Sequence, residues 1–257
     1  MPANAPAGTR LYAIGDIHGR LDLLDGLMDL IESDNNNRSP ARTILIFLGD
    51  YIDRGPDSKG VVDFLVSARQ RRNLLSGDQL SPPPPPFGFL FLKGNHEHLI
   101  LSFLHSPATS GIWLRVGGES TLRSYGLEID FVQEALLQGQ AGLLKVSAML
   151  RSLLPDDHLQ FYQALEPFYR AGDYFFVHAG INPRVPLESQ SEEDLLWIRD
   201  DFLNCPDNFG AVIVHGHTPT LMPCDLPTRI GINTYAFKTG RLSAVGLEGT
   251  RRWFLST

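Results

Sequence analysis

Cysteine is scarce in this chain. Cys205 and Cys224 are the only two among 257 residues. Neither belongs to a CxxC pair or stands near a histidine cluster, which argues against a disulfide framework or a thiolate metal site. Long apolar runs are also missing, and none approaches the ~18 uninterrupted residues of a membrane span. The opening Met1-Pro-Ala-Asn-Ala-Pro-Ala7 lacks the basic start and apolar core of a secretion signal. A cytoplasmic protein with no membrane partner is expected. Positive charge is in the minority, with 22 Lys and Arg against 29 Asp and Glu and a formal net charge of -7. Broad electrostatic attraction to nucleic acid or an anionic bilayer is therefore disfavoured. Any anionic substrate needs a local positive centre.

What is present is a repeated arrangement. Five times an apolar run of strand length stops at a turn in which Asp, Asn or His stands beside glycine. Arg10–Ile14 runs into Gly15-Asp-Ile-His-Gly19, and Thr43–Leu48 into Gly49-Asp-Tyr-Ile-Asp-Arg-Gly55. Phe87–Leu92 leads to Lys93-Gly-Asn-His-Glu97, the run from Asp173 to His178-Ala-Gly180, and Ala211–Val214 to His215-Gly-His-Thr218. Leu21, Leu24, Leu27, Met28 and Ile31 predict a helix after the first turn. Val61, Val62, Phe64 and Leu65 predict another after the second, with Pro56 at its first position. Leu99, Ile100, Phe103 and Leu104 open a third. The pattern then stays mostly helical to about Arg170, and residues 103–170 are expected to fold over one end of the sheet as a cap.

Residues 1–7 read as a disordered tail before a single domain spanning 8–257. Pro82 to Pro86 should adopt extended polyproline II, as a stiff surface loop or a docking site for a proline-binding partner. Arg229–Ile232 and Leu242–Leu247, with Phe254 beyond, read as antiparallel strands joined by a turn at Thr239-Gly240.

A parallel sheet gathers its carboxyl-terminal turns at one edge, where open α/β sheets place their ligands. Five of the eight histidines, His18, His96, His178, His215 and His217, fall in these turns. His98, His105 and His158 read as helix or surface residues. One Asp-x-His alone is usually just a turn; the joint pattern is a metal site. Oxygen and imidazole donors without thiolate suit Mn²⁺, Fe²⁺ or Zn²⁺.

In order, these five motifs resemble those of the calcineurin-like metallophosphoesterases, and more narrowly the bacterial serine/threonine phosphoprotein phosphatases. The similarity continues through Trp113-Leu-Arg-Val-Gly-Gly-Glu-Ser-Thr-Leu-Arg-Ser-Tyr-Gly126 and Leu195-Leu-Trp-Ile-Arg199, and so covers nearly the whole chain. It implies an α/β fold of two packed mixed sheets flanked by helices. By the same match, Asp16 and His18 bind one divalent ion, Asn95, His178 and His217 bind a second, and Asp50 bridges them. Manganese is the expected metal, with iron or zinc as alternatives.

The implied reaction is in-line attack on phosphorus by a hydroxide bridging the two ions. His96 would protonate the leaving oxygen, Asp53 would hold its ring, and Arg54 would fork onto phosphate oxygens. Arg199 matches a second phosphate-binding arginine, or else forms a surface ion pair with Asp200 or Asp201. Pro219 replaces a histidine ligand of the wider superfamily, which makes His217 the ligand and His215 a neighbour. Glu97 is expected to orient its neighbours or cap the following helix. Asn233-Thr-Tyr-Ala236 departs from the Asp-Thr-Gly-Ala of this branch, so no substrate contact is carried onto it.

The expected substrate is a phosphoprotein or small phosphomonoester, turned over by a monomer. A symmetrical dinucleoside tetraphosphate hydrolase is the rival enzyme. Asp53-Arg54 and Gly-Asn-His-Glu97 favour the phosphatase, because those hydrolases more often carry Asn-Arg and Gly-Asn-His-Asp. A phosphodiesterase and a non-catalytic phosphopeptide-binding protein are weaker readings.

Overall fold

The apolar runs become strands covered on both faces. In the computed structural model, which describes residues 2–74 and 87–257, β1 (Thr9–Ile14), β2 (Arg42–Phe47) and β3 (Phe87–Phe91) lie parallel. A second sheet contains β4 (Phe168–Ala171), β5 (Tyr174–Val177), β6 (Val212–His215), β7 (Cys224–Asp225) and β8 (Arg229–Gly231), in the order β4-β5-β6-β8-β7. β9 (Ser243–Glu248) and β10 (Arg251–Ser256) complete the first sheet, whose order is β10-β9-β1-β2-β3.

Leu11, Ala13, Ile46 and Leu48 point into the core between the sheets, where they meet Tyr174, Phe176, Val214 and Ile230. The alternate residues Tyr12, Ile14, Leu45 and Phe47 point outward under helices. With both faces dry, these strands show no polar alternation.

The helices α1 (Leu21–Asn36), α2 (Ser58–Leu74) and α3 (Asn95–His105) follow the first three turns. The helical insertion contributes α4 (Glu119–Ser124), α5 (Ile129–Leu136), α6 (Gln140–Leu153) and α7 (Asp156–Gln163). Its Trp113, Leu122, Val146, Leu150 and Phe161 share one apolar cluster with Leu65 of α2 and Phe103 of α3. The short α8 (Glu192–Trp197) and α9 (Asp200–Leu203) cover the outer face of the second sheet through Leu195 and Phe202, and α10 (Ala236–Thr239) follows β8.

Several local expectations need correction. α2 starts at Ser58 rather than Pro56, because Asp57 caps it, its Oδ1 accepting the Gly60 N–H at 2.8 Å. The insertion is not helical to Arg170. After Pro167 the chain forms β4, which turns at Gly172 and pairs antiparallel with β5, Phe168 stacking on Phe175 at 4.8 Å. Arg229–Gly231 is not a hairpin partner of the C-terminal strands but lies parallel to β6 in the other sheet. Thr239-Gly240 is the end of α10, and the C-terminal hairpin is β9 with β10.

The N-terminal segment is packed rather than disordered. Ala5 is buried and its N–H donates to Gly249 O at 2.9 Å, while the Asp173 N–H donates to Asn4 O at 3.0 Å. The run Pro82 to Pro86 lies outside the described residues.

Candidate metal centre

Among the described residues, six that are not glycine have left-handed backbone: His18, Asp50, Asp53, Arg54, His217 and Tyr235. All stand in turns that follow β1, β2, β6 or β8 at one edge of the two sheets. A side chain in that region costs roughly 1 kcal/mol or more. The sharp bends aim neighbouring side chains at a common point, and small residues let the turns close. A Cβ on Gly216 would stand 2.1 Å from Asp16 Oδ1.

The first part of the site is a set of acceptors facing acceptors. The His178 Nδ1–H donates to Leu48 O at 2.8 Å, which leaves the Nε2 lone pair 2.8 Å from Asn95 Oδ1 and 3.4 Å from Asp50 Oδ1. His217 Nδ1 lies 3.0 Å from the same Asn95 oxygen and 3.2 Å from His178 Nε2. His18 repeats the device: its Nδ1–H donates to Ile52 O at 2.8 Å, and Nε2 lies 3.5 Å from Asp50 Oδ2. Asp50 thus faces both groups. Two groups, His18-Asp50-His96 and Asp50-His178-His217, each have candidate ligand atoms within 4.8 Å of one another, but His96 is turned by Asp53 to present an N–H and stands beside the acceptor set rather than in it.

Burial keeps these rings neutral. It lowers His178 and brings His18 down to about 3 and His217 to about 2, against the pull of Asp50. Burial and the Asp50 carboxylate push Asp16 well above its ordinary range. Two lone pairs opposed at hydrogen-bond distance, neutral imidazoles of which His18 and His178 are fixed through Nδ1, and a carboxylate made uncomfortable by its surroundings fit a divalent cation.

Asp16 is held by the second sheet. Its oxygens accept the His217 N–H at 3.1 and 3.2 Å, and Oδ2 accepts Asn233 Nδ2–H at 2.6 Å. Glu97 works from the other side, accepting the N–H groups of Asp50 and Tyr51 at 2.8 Å and of Gly94 at 3.0 Å. It therefore fixes the Asp50 turn, as the sequence led us to expect.

The second part has donors facing donors. The His96 Nδ1–H donates to Asp53 Oδ2 at 2.5 Å, and that carboxylate also accepts Trp113 Nε1–H at 2.8 Å and the Thr121 hydroxyl. Burial works against the imidazolium, but Asp50 and Asp53 outweigh it and raise His96 to about 9. Arg54 Nη2 opposes His96 Nε2 at 3.2 Å, while its Nη1–H donates to the bare His18 Nε2 at 3.2 Å. A cationic ring and a guanidinium this close make a place for an anion.

Arg199 is exposed, with Nη1 3.5 Å from Thr218 Oγ1, and no ion pair joins it to Asp200 or Asp201 among the described residues. His215 lies apart from the donor sets. It is buried edge-on against Phe202 at 5.1 Å, and burial lowers it to about 4. His158 is on a helix but is buried, between Tyr125 and Asp63.

Sequence reasoning assigned no role to Asn233, Trp113 or Thr121, and missed Phe237. The Phe237 ring lies 5.1 Å from the Arg54 guanidinium and 5.5 Å from the His18 ring. Trp113 and Thr121 belong to a recognisable motif, but that motif does not say that they hold Asp53. Phe237 gave no signal.

The sequence model of the calcineurin-like phosphoesterases matches residues 9–253, and the chain belongs to that family. It is thus a metallophosphoesterase, a hydrolase of phosphate esters that works with divalent metal ions. Serine/threonine-protein phosphatase 1 of Salmonella typhimurium is 25% identical over 243 residues, covering 93% of this chain and 92% of the relative. The symmetrical bis(5'-nucleosyl)-tetraphosphatase of an Acidovorax species is 36% identical over 209 residues, or 77% of this chain and 57% of that relative.

A solved structure provisionally described as a diadenosine tetraphosphatase superposes with a TM-score of 0.61 at 20% identity, covering 99% of this chain and 98% of the other. The cold-active protein-tyrosine phosphatase of a Shewanella species gives 0.58 at 15% identity, covering 98% of this chain and 83% of that one. At these identities the superpositions speak for the fold alone. Among the described residues, no helix is long and apolar enough to cross a membrane.

Proposed function

We propose that this metallophosphoesterase removes phosphate from phosphoserine and phosphothreonine in proteins, as a cytoplasmic enzyme. The observation that carries the reading is the His96-Asp53 pair beside Arg54. Asp53 is fixed by Trp113 and Thr121, so His96 Nε2 is directed at the place where Arg54 would hold a phosphate.

In this reading Asp16, His18, Asp50, Asn95, His178 and His217 hold two divalent ions, manganese being the expected metal with iron or zinc as alternatives. Ions bound there supply Lewis acidity to water and to the phosphate oxygens. Arg54 binds phosphate oxygens through its fork, and Arg199 reaches the same phosphate from the second sheet. His96 donates the Nε2 proton to the leaving serine or threonine oxygen, while Asp53 steadies the ring and stabilises its charge. The resemblance to the Salmonella phosphatase over nearly the full length of both chains supports this assignment.

A second reading, hydrolysis of symmetrical dinucleoside tetraphosphates, is favoured by the higher identity to the Acidovorax relative. The deciding test strips the protein of metal and measures turnover with and without added Mn²⁺. A phosphothreonine peptide, a dinucleoside tetraphosphate and an aryl phosphodiester are assayed in parallel. Mn²⁺-dependent phosphate release mainly from the peptide is expected. Faster cleavage of the dinucleotide would replace the first reading with the second, and no turnover of any substrate would end both.

A further inference from the structure

A cleft of about 610 Å³ opens beside the phosphate-binding arginine, lined by Arg54, Arg115, Gly117, Glu119, Ser120 and Arg123 among others. Three of these side chains are cationic and one is acidic, in a protein whose formal net charge is -7. Arg115 and Arg123 are exposed, and among the described residues neither makes a side-chain hydrogen bond or an ion pair, with Glu119 or with anything else. The two basic groups thus stand unneutralised where the overall charge would otherwise repel an anion.

The wall that carries them is tied to the site. Arg54 donates its backbone N–H to Gly117 O at 3.2 Å and its Nε–H to Val116 O at 3.4 Å, and the Ser120 hydroxyl closes onto Gly117 O at 2.7 Å. Gly117 has φ +128, and a Cβ there would meet Arg54 Cγ at 2.7 Å, so only glycine lets the two segments come this close. The chain from Leu114 to Gly118 is kinked at Gly117, whose backbone is not helical. It presents Arg115 on one side, and α4 presents Arg123 on the other. Arg54 borders this cleft and also faces His96, so the groups flanking a phosphate held on Arg54 have the cleft beside them.

We propose that Arg115 and Arg123 form an acidic-residue subsite that selects phosphoserine and phosphothreonine segments flanked by Asp or Glu. The proposal rests on the phosphoprotein reading above. It assigns no role in the chemistry to either arginine; both act through charge on the part of the substrate that does not react.

The test uses the full chain loaded with Mn²⁺ and two phosphothreonine peptides of equal length, one with Asp and Glu around the phosphothreonine and one with Gln and Ser there. Wild type should prefer the acidic peptide by roughly three- to tenfold in kcat/KM, the scale of two exposed charge contacts. In Arg115→Glu/Arg123→Glu the ratio of the two kcat/KM values should fall to one or below. Because the readout is a ratio within one preparation, partial loss of folded enzyme does not alter it.

Wild type provides a second measurement that needs no variant. The KM for the acidic peptide should rise severalfold between about 20 and 300 mM NaCl, and more steeply than that for the neutral peptide. Equal kcat/KM for both peptides in wild type, or a preference unchanged in the double variant, would overturn the subsite and leave the phosphatase reading standing. Turnover of neither peptide, with dinucleoside tetraphosphate cleaved, would overturn both.

Discussion

His178 and His96 are both buried, at 0% and 1% exposure, and both belong to one cluster, yet they are prepared for opposite work. Behind the His178 ring is a backbone carbonyl, which takes the Nδ1 proton and leaves a neutral ring with its lone pair facing Asn95 and Asp50. Behind the His96 ring is a carboxylate, Asp53, which accepts the same proton and, added to the Asp50 charge that both rings face, keeps this ring charged. The residue type is the same and so is the burial. What differs is the oxygen behind the ring, neutral in one case and anionic in the other, and it separates a half of the site suited to a cation from a half suited to an anion.

The largest expected effect removes the cation half altogether. Chelation should lower turnover at least about 10³-fold, with recovery on adding Mn²⁺; a chelated enzyme of unchanged activity would refute the assignment of the acceptor cluster. Next is His96→Asn, which removes the proton donor without touching the acceptor set. A fall in kcat of roughly 10² to 10⁴ is expected, with metal content by elemental analysis unchanged; a parallel loss of metal would make His96 a ligand instead.

Asp53→Asn tests the contrast most directly, because it makes the oxygen behind His96 neutral. His96 should move from about 9 toward its ordinary value of about 6.5, so the alkaline limb of the activity profile moves to lower pH. The sign for stability agrees. A folded-state value above the unfolded one gives wild type a stabilisation that is complete below about pH 6.5 and disappears as pH rises through about 9. Metal-free wild type should lose thermal stability across that window, and the variant should lose less, the part due to buried Glu97 remaining in both.

Asn233→Ala removes the amide that holds Asp16 Oδ2, and metal affinity should weaken roughly 10- to 100-fold by titration. The smallest effect is reserved for Cys224→Ser. Cys224 is a partly buried free thiol at the start of β7 that belongs to neither half, and a change within ~0.5 kcal/mol in denaturant unfolding is expected.

That the side chains of the acceptor cluster converge was readable from sequence, because they sit where regular structure stops, in turns that carry glycine. The turns at Asp16, Asp50, Asn95, His178 and His217 could be placed on strand ends from apolar runs alone. Their partners could not. Nothing in Arg229–Ile232 tells whether it pairs with β6 or with the C-terminal strands, since three buried residues fit either sheet. β4 was hidden behind Pro167 because a four-residue edge strand carries too little pattern to outweigh the helical stretch before it. Trp113 and Thr121 fix Asp53 from 60 and 68 residues away in sequence, a link made by packing of the helical insertion. The departure at Asn233 was visible, but its amide meets Asp16 only through the fold.

The hydrogen bonds that position Asp16 also constrain the order in which the molecule assembles. His217 reaches it across 201 residues and Asn233 across 217, so the acceptor cluster cannot exist until the segments around residues 16 and 233 have found each other. Loops of that length close late, after local helices have formed. Metal uptake should therefore be among the last events of refolding. Stopped-flow refolding with and without Mn²⁺ is expected to show the same early phases and to diverge only in the final one, and a manganese-dependent early phase would mean that one half of the cluster binds before the ring is closed.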